Sequence, residues 1–477
     1  MQSSQLIQSL KYLNPDTFKR FGAFVHSPYH NTNEKLQKLY SQIAASHPDL
    51  TSNKLDKKTV YPTVFLKEKF NGDKLRAMMS LLLKLLKEFL VIEQIKKSPE
   101  TFNQLLLEQY QNLGMNKQYD TMLKKSQNIM SDSDQKDTAY FLKQHLLDEK
   151  IYDYAVQNKT PNLNKDLQNL LVNLDIYYAA KRLKYSCEAL NRKNIAGESF
   201  EEISLMDIKP YSEKLALEKV PLIDIYLQIF QTLEDENNES NFEKLVKLLE
   251  ENSSIFPAEE NKVMYGYAMN FCIKKINEGR NEYLEKLFKL YKLLLEFNII
   301  FEGKYISQWD YKNIVTVGLR LNEIEWTEYF INHYEKYLNP NVRDNAFKYN
   351  LANLSYFKKD FSQTMELLRE VEFTEISYEL SSKSLLLKSY YELNEFNALF
   401  AQAETFKLFL RRNKRISDYQ KTIYKNLIRY IVKLAKLKSR FQKVPKKVRD
   451  EIESTAQIAD KSWLLKKIKE NTGMEMY

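Results

Sequence analysis

Helix breakers are scarce in this sequence. Its 477 residues include only 9 Gly and 11 Pro, about 4% of the chain against roughly 12% in average usage. These are the residues that make tight turns, so their scarcity excludes a many-turned β protein and points to long helices. Cysteine is almost missing too, with Cys187 and Cys272 the whole complement. Two distant thiols build neither a disulfide framework nor a four-cysteine zinc site, and they fit a reducing cytosol. Phosphate-cradling loops are absent: there is no G-x-G-x-x-G, G-x-x-x-x-G-K-[ST] or G-x-S-x-G. The most apolar stretch, Met78 to Ile95, carries Lys84, Lys87, Glu88 and Glu93, so it reads as a buried helix and no membrane span is expected. The opening, MQSSQLIQSLKYLNPD, lacks the basic and apolar segments of a secretory signal. The expected compartment is the cytoplasm.

Catalytic constellations are equally thin. Of the five histidines, His26 and His30 have a spacing that on one helix would offer two imidazoles to a metal. Ser27-Pro28 interrupts that helix, so no metal is expected. The acidic run Glu234-Asp235-Glu236 sits in a polar loop and reads as a solvated turn. Cys187 in KYSCEAL and Cys272 in MNFCIKK lie in apolar runs with no activating histidine beside them. The expectation is a protein without enzymatic activity or cofactor.

What is present is bulk, periodicity and charge. The 32 Tyr and 26 Phe residues supply large side chains for packing between helices. A first helix is expected over about residues 3–13. Asn14-Pro15-Asp16-Thr17 then signals a new start, with Asn14 as cap and Pro15 in the first turn. Phe18, Phe21, Phe24 and Val25 form one apolar stripe, and Asn31-Thr32-Asn33-Glu34 opens the next helix. A polar loop is expected over residues 49–60, a short amphipathic piece from Tyr61 to Phe70, and a long helix from Asn71-Gly72-Asp73 to about Lys96. Ser98-Pro99 is the first domain boundary. The passage LNPDTFKRFGAFVHSPYHNTNEKL resembles the opening of a group of uncharacterised bacterial helical proteins, a likeness that spans about the first 100 residues and implies no activity.

From Thr101 onward helix follows helix, with polar breaks at Asn116, 131–134, 158–164, 191–199, 234–240 and 278–281. Three acidic-aromatic steps, Glu325-Trp326, Asp360-Phe361 and Glu395-Phe396, fall 35 residues apart. A fixed period of this size signals stacked helical hairpins, in which no unit buries its apolar face alone. Asn241-Phe242 and Glu282-Tyr283 mark two earlier, less regular units. With Leu351-Ala352 as the Leu-small pair and Asp360-Phe361 as the step into the second helix, these units resemble tetratricopeptide repeats. They depart from that pattern where Tyr329, Thr364 and Leu399 stand in place of small residues, and in lacking the closing proline. The resemblance implies an all-α fold with hairpins stacked into a right-handed superhelix. The domains expected are an N-terminal helical domain (1–98), a repeat array (99–406, regular over 309–406) and basic C-terminal helices (407–477).

The same resemblance implies a concave groove lined by the first helix of each hairpin. The groove positions would be Tyr311 and Ile314, then Tyr349, Asn353 and Tyr356, then Ser384, Lys388 and Tyr391. Tyr offers contact area at low entropic cost and Asn can bond a peptide backbone at donor and acceptor. The same tyrosines would serve equally as packing between helices. The net charge of +9 is uneven: Lys407 to Arg449 holds sixteen Lys or Arg against one acid, Asp418, so the remainder is net negative. Arg411, Arg412, Lys414 and Arg415 are followed by Lys421, Lys425, Arg429 and Lys433 along one helical stripe. Such a stripe can neutralise phosphates, lie solvated, or face an acidic surface of another copy. Two functions follow: a scaffold that binds a protein or peptide in the groove, or a factor that binds nucleic acid through residues 407–449.

Overall fold

A computed structural model describes residues 1–50, 55–66, 68–158, 161–196, 210–212, 217–371 and 376–472. The breaks expected at 158–164 and 191–199, and the loop at 49–60, fall partly outside the described residues. The chain is predominantly helical. Among the described residues, strand is confined to one small hairpin, β1 (Phe301–Glu302) and β2 (Tyr305–Ile306). Two compact units divide the chain: Met1–Ser133 with Leu142–Asn173, and Asp134–Phe141 with Leu174–Tyr477. Ser98-Pro99 lies inside the first unit, where Ser98 caps the helix that follows.

The opening helices are α1 (Gln5–Leu10), α2 (Pro15–His26), α3 (Glu34–Ala44), α4 (Lys57–Val64), α5 (Gly72–Lys97), α6 (Pro99–Asn112), α7 (Asn116–Ser131), α8 (Thr138–Asn158) and α9 (Leu163–Ala196). Their starts are set by side chains that satisfy otherwise unpaired backbone donors. Asn14 accepts from the Thr17 N–H at 2.8 Å, Asn33 from Lys35 at 2.9 Å and Asn71 from Asp73 at 2.9 Å. Asp56 does the same for Lys57, so α4 begins four residues before the amphipathic piece expected from Tyr61. Phe21, Val25, Leu39, Ile43, Leu82, Leu86 and Phe89 form the core of this unit. Gly22 is obligatory in it, because a Cβ there would meet the Tyr40 ring at 2.8 Å or less.

In the second unit the chain continues as α10 (Pro221–Glu234), α11 (Glu239–Asn252), α12 (Ala258–Asn277), α13 (Tyr283–Glu296), α14 (Gln308–Arg320) and α15 (Ile324–Tyr334). Then follow α16 (Arg343–Phe357), α17 (Phe361–Arg369), α18 (Ile376–Glu392), α19 (Phe396–Arg412), α20 (Asp418–Ser439), α21 (Lys446–Ser454) and α22 (Lys461–Thr472). Several turns share one geometry. Gly279, Asn322, Lys359 and Asn394 all have a left-handed backbone, with φ between 59° and 96°. The residue after each donates its N–H to the carbonyl five residues back: Arg280 to Lys275, Glu323 to Gly318, Asp360 to Ser355 and Glu395 to Tyr390, at 2.9 to 3.0 Å. This closure satisfies the last carbonyls of one helix and reverses the chain into the next.

It also moves the first acidic-aromatic step. The turn is at Asn322-Glu323, so the step into α15 is Glu323-Ile324, two residues before Glu325-Trp326. The residue that corresponds to Thr364 and Leu399 is therefore Thr327, which is fully buried, and Tyr329 is 58% exposed. Thr327 lies against Gly318, where a Cβ would stand 2.3 Å from its Oγ1. Each helix from α14 to α20 packs on the next, and the alternate helices α14, α16, α18 and α20 also pack on one another in series. α22 packs on α20 and α21.

Candidate functional site

The face shared by α14, α16, α18 and α20 gathers polar and charged groups into the interior of the second unit. Lys312 of α14 donates to Ser381 Oγ at 2.9 Å, with its ammonium 5.1 Å from the Tyr349 ring and 4.9 Å from the Tyr378 ring. Burial pushes the Lys312 ammonium down to about 8, an effect that Asp460 opposes. The two rings meet edge-to-face at 4.9 Å, and the Tyr378 hydroxyl donates to the Gln308 carbonyl at 2.8 Å. Burial raises the Tyr349 hydroxyl to about 12, and hydrogen bonds with Asn353 and Ser381 act against that rise. Aromatic faces and one hydroxyl thus replace water around a cation.

Towards the C-terminal end of α18 the same face is covered by the chain's own α22. Asp460, just before α22, has a left-handed backbone with φ of 51°. Its carboxylate accepts from Ser384 Oγ at 2.7 Å and pairs with Lys388 at 3.0 Å. Desolvation by the surrounding protein disfavours that charge, but Lys388 and Ser384 outweigh it and hold the carboxyl below its ordinary value. One turn on, the Trp463 indole N–H donates to Glu392 Oε1 at 3.3 Å, and its ring meets Tyr391 edge-to-face at 5.3 Å. Lys467 pairs with Glu392 at 2.7 Å. The Tyr356 hydroxyl reaches Glu392 as well, at 3.4 Å, while Lys388 stands 5.5 Å from the Tyr356 ring.

The groove positions therefore separate into two groups. Tyr311 and Ile314 are fully buried, and the Tyr311 hydroxyl donates to the Ile331 carbonyl at 2.6 Å. Tyr349 is interior packing around Lys312. These three line no open surface. Ser384, Lys388, Tyr391 and Tyr356 come together as one site, with half-buried Asn353 on the same helix as Tyr356. The other members, Lys312, Tyr378, Glu392, Asp460, Trp463 and Lys467, were not anticipated. The signal available in the sequence was the single tryptophan and one of three aspartates in a Lys-rich tail; their partners lie 71 and 76 residues earlier.

The basic stripe is also divided. Lys433 pairs with Glu451 at 2.8 Å and Lys421 approaches Asp418 at 3.5 Å. Arg429 lies over the Tyr430 ring at 4.4 Å. Lys438 faces inward, 4.6 Å from the Tyr391 ring. Arg411, Arg412, Lys414 and Arg415 are exposed at the turn between α19 and α20, and Lys425 is exposed about two turns into α20. Among the described residues no acid lies within ion-pairing distance of these five.

His26 Nδ1 bonds the Gly22 carbonyl at 2.8 Å and His30 stacks on Phe24 at 3.9 Å. Among the described residues no three His, Cys, Asp or Glu side chains converge as metal ligands. Both cysteines are buried, and that burial raises their thiol pKa values. Among the described residues no helix is long and apolar enough to cross a membrane. Comparison with family models, curated proteins and solved structures finds no match to this chain.

Proposed function

We propose that this chain is a non-enzymatic cytoplasmic scaffold of stacked, tetratricopeptide-like hairpins in a right-handed superhelix, and that its inner face holds a segment of a protein partner. One observation carries the reading: Ser384, Lys388 and Glu392, at four-residue steps on α18, already grip a helical segment through Asp460, Trp463 and Lys467. A helix lying on a helical face is recognised through anchors spaced this way. The repeated left-handed turns at Gly279, Asn322, Lys359 and Asn394 and the serial packing of alternate helices support the stack. The test is a quantitative comparison of partners captured by the wild type and by Lys388→Gln/Glu392→Gln. Loss of specific partners from the variant supports the reading, and identical sets in identical amounts refute it.

A second reading is favoured by the unpaired cations around the α19–α20 turn. Arg411, Arg412, Lys414 and Arg415 at that turn, with Lys425 further along α20, present exposed positive charge that suits a phosphate backbone. Binding of mixed-sequence nucleic acid that weakens steeply with salt supports it; no binding at low salt refutes it.

A further inference from the structure

We infer that residues Asp460 to Lys467 are an internal stand-in for the partner, and that the partner is a helical protein segment with the same chemistry: a carboxylate, an aromatic donor three residues on, and a cation four residues further. This rests on the inner-face reading and specifies its ligand. Positions 460, 463 and 467 share one face at the start of a helix. They meet Ser384, Lys388 and Glu392, which share one face of α18. The match is by charge and in register, with carboxylate on hydroxyl and ammonium, indole N–H on carboxylate, and ammonium on the same carboxylate.

The contact has the marks of an exchangeable one. Asp460 keeps 38% exposure, so its pair with Lys388 is wet at the rim. Lys467 and Glu392 retain only 11% and 15%, so a ligand without a cation there would leave Glu392 inadequately paired, which penalises wrong partners. Lys388 and Lys312 exact the same penalty from a ligand without a carboxylate. Leu464 and Ile468, on the adjoining strip of α22, are buried in a cluster with Leu434, Val448 and Ile452, so release of the helix also exposes these two side chains. The covalent tether keeps the stand-in near the site after displacement, so it competes at high effective concentration.

The experiment titrates a labelled peptide of residues 455–472 onto full-length protein. The hosts are wild type, Asp460→Asn/Trp463→Ala, and that variant with Lys388→Gln/Glu392→Gln added, each checked for helicity and melting. A site occupied internally nine-tenths of the time weakens apparent affinity about tenfold. The Asp460→Asn/Trp463→Ala protein is therefore expected to bind about tenfold tighter than wild type or better, and the added pair to abolish the gain. Should the double variant misfold, Asp460→Asn alone is used, with a several-fold gain expected. Equal affinity for wild type and emptied protein overturns the inference, as does binding indifferent to Lys388 and Glu392. A concentration-dependent dimer of the emptied protein overturns it too, by naming a second copy as the occupant. If the peptide fails while captured partners still depend on Lys388 and Glu392, this inference falls alone; if capture is also unchanged, the inner-face reading falls with it.

Discussion

Gly318 tests whether the α14–α15 turn is understood. In an unhindered helix interior, Gly→Ala stabilises by about 1 kcal/mol. At 318 the new methyl would stand 2.3 Å from Thr327 Oγ1 and 3.6 Å from Thr327 Cβ. That oxygen cannot swing away freely, because it donates to the Glu323 carbonyl at 2.6 Å in a fully buried setting. Overpacking of this kind costs about 1–3 kcal/mol, and so severe an approach belongs at the upper end. Gly318→Ala is expected to destabilise by about 1–2 kcal/mol once the propensity gain is subtracted. Thr327→Ala alone loses a hydrogen bond and a buried methyl, about 1–2 kcal/mol. In the double variant the methyl at 318 fills the vacated space, so the coupling is expected to be favourable by about 2 kcal/mol. Thermal midpoints followed by circular dichroism would separate the four proteins, at about 1–2 °C per kcal/mol for a unit of this size. A raised midpoint for Gly318→Ala, or additive effects in the double variant, would refute the turn assignment.

Lys312 has a folded pKa below its unfolded value, so the native state carries an unfavourable charge at neutral pH and sheds it first as pH rises. Stability relative to Lys312→Met is expected to improve between about pH 8 and 10.5; a difference flat across that window in chemical denaturation contradicts the burial of the ammonium. Asp460 has the opposite sign. Its folded carboxyl lies below the ordinary 3.8, so the advantage over Asp460→Asn should be full well above that value and vanish as pH falls through the folded pKa. A melting difference that persists in strong acid would deny the Lys388 pair. Replacing Arg411, Arg412, Lys414 and Arg415 by Gln should flatten any salt dependence of nucleic-acid binding by up to about 3–4 in log–log slope for duplex DNA; an unchanged slope places the contact elsewhere.

The helical class and most helix starts were legible because their causes are local. A cap such as Asn14, Asn33 or Asn71 acts on backbone donors two or three residues away, and scarcity of Gly and Pro acts everywhere at once. Register at the first regular step was not legible, since Asn322 reverses the chain as readily as glycine and nothing in Glu325-Trp326 reveals it. Nor could spacing tell Tyr349 from Tyr356: both sit on one face of α16, but only Tyr349 is enclosed with Lys312 and Tyr378. Periodicity gives the face and tertiary burial gives the depth.

The charge asymmetry that set residues 407–449 apart is likewise local only in the sequence. Lys433 is neutralised by Glu451 and Arg449 pairs with Glu453 at 2.8 Å, acids that lie just beyond the basic run. Lys438 turns inward to Tyr391. Among the described residues two exposed concentrations without an ion pair remain, one around the α19–α20 turn and one, Lys436, Arg440, Lys443, Lys446 and Lys447, around the α20–α21 turn. Meanwhile Lys388, which reads from the sequence as the sole cation of a groove awaiting a carboxylate, has one in Asp460. The tail therefore contributes twice: basic turns exposed to solvent at both ends of α20, and an acidic-aromatic helix start that satisfies the inner face. Any partner of that face must outcompete a carboxylate the chain itself supplies, which makes selectivity at Lys388 a matter of exchange and not of simple vacancy.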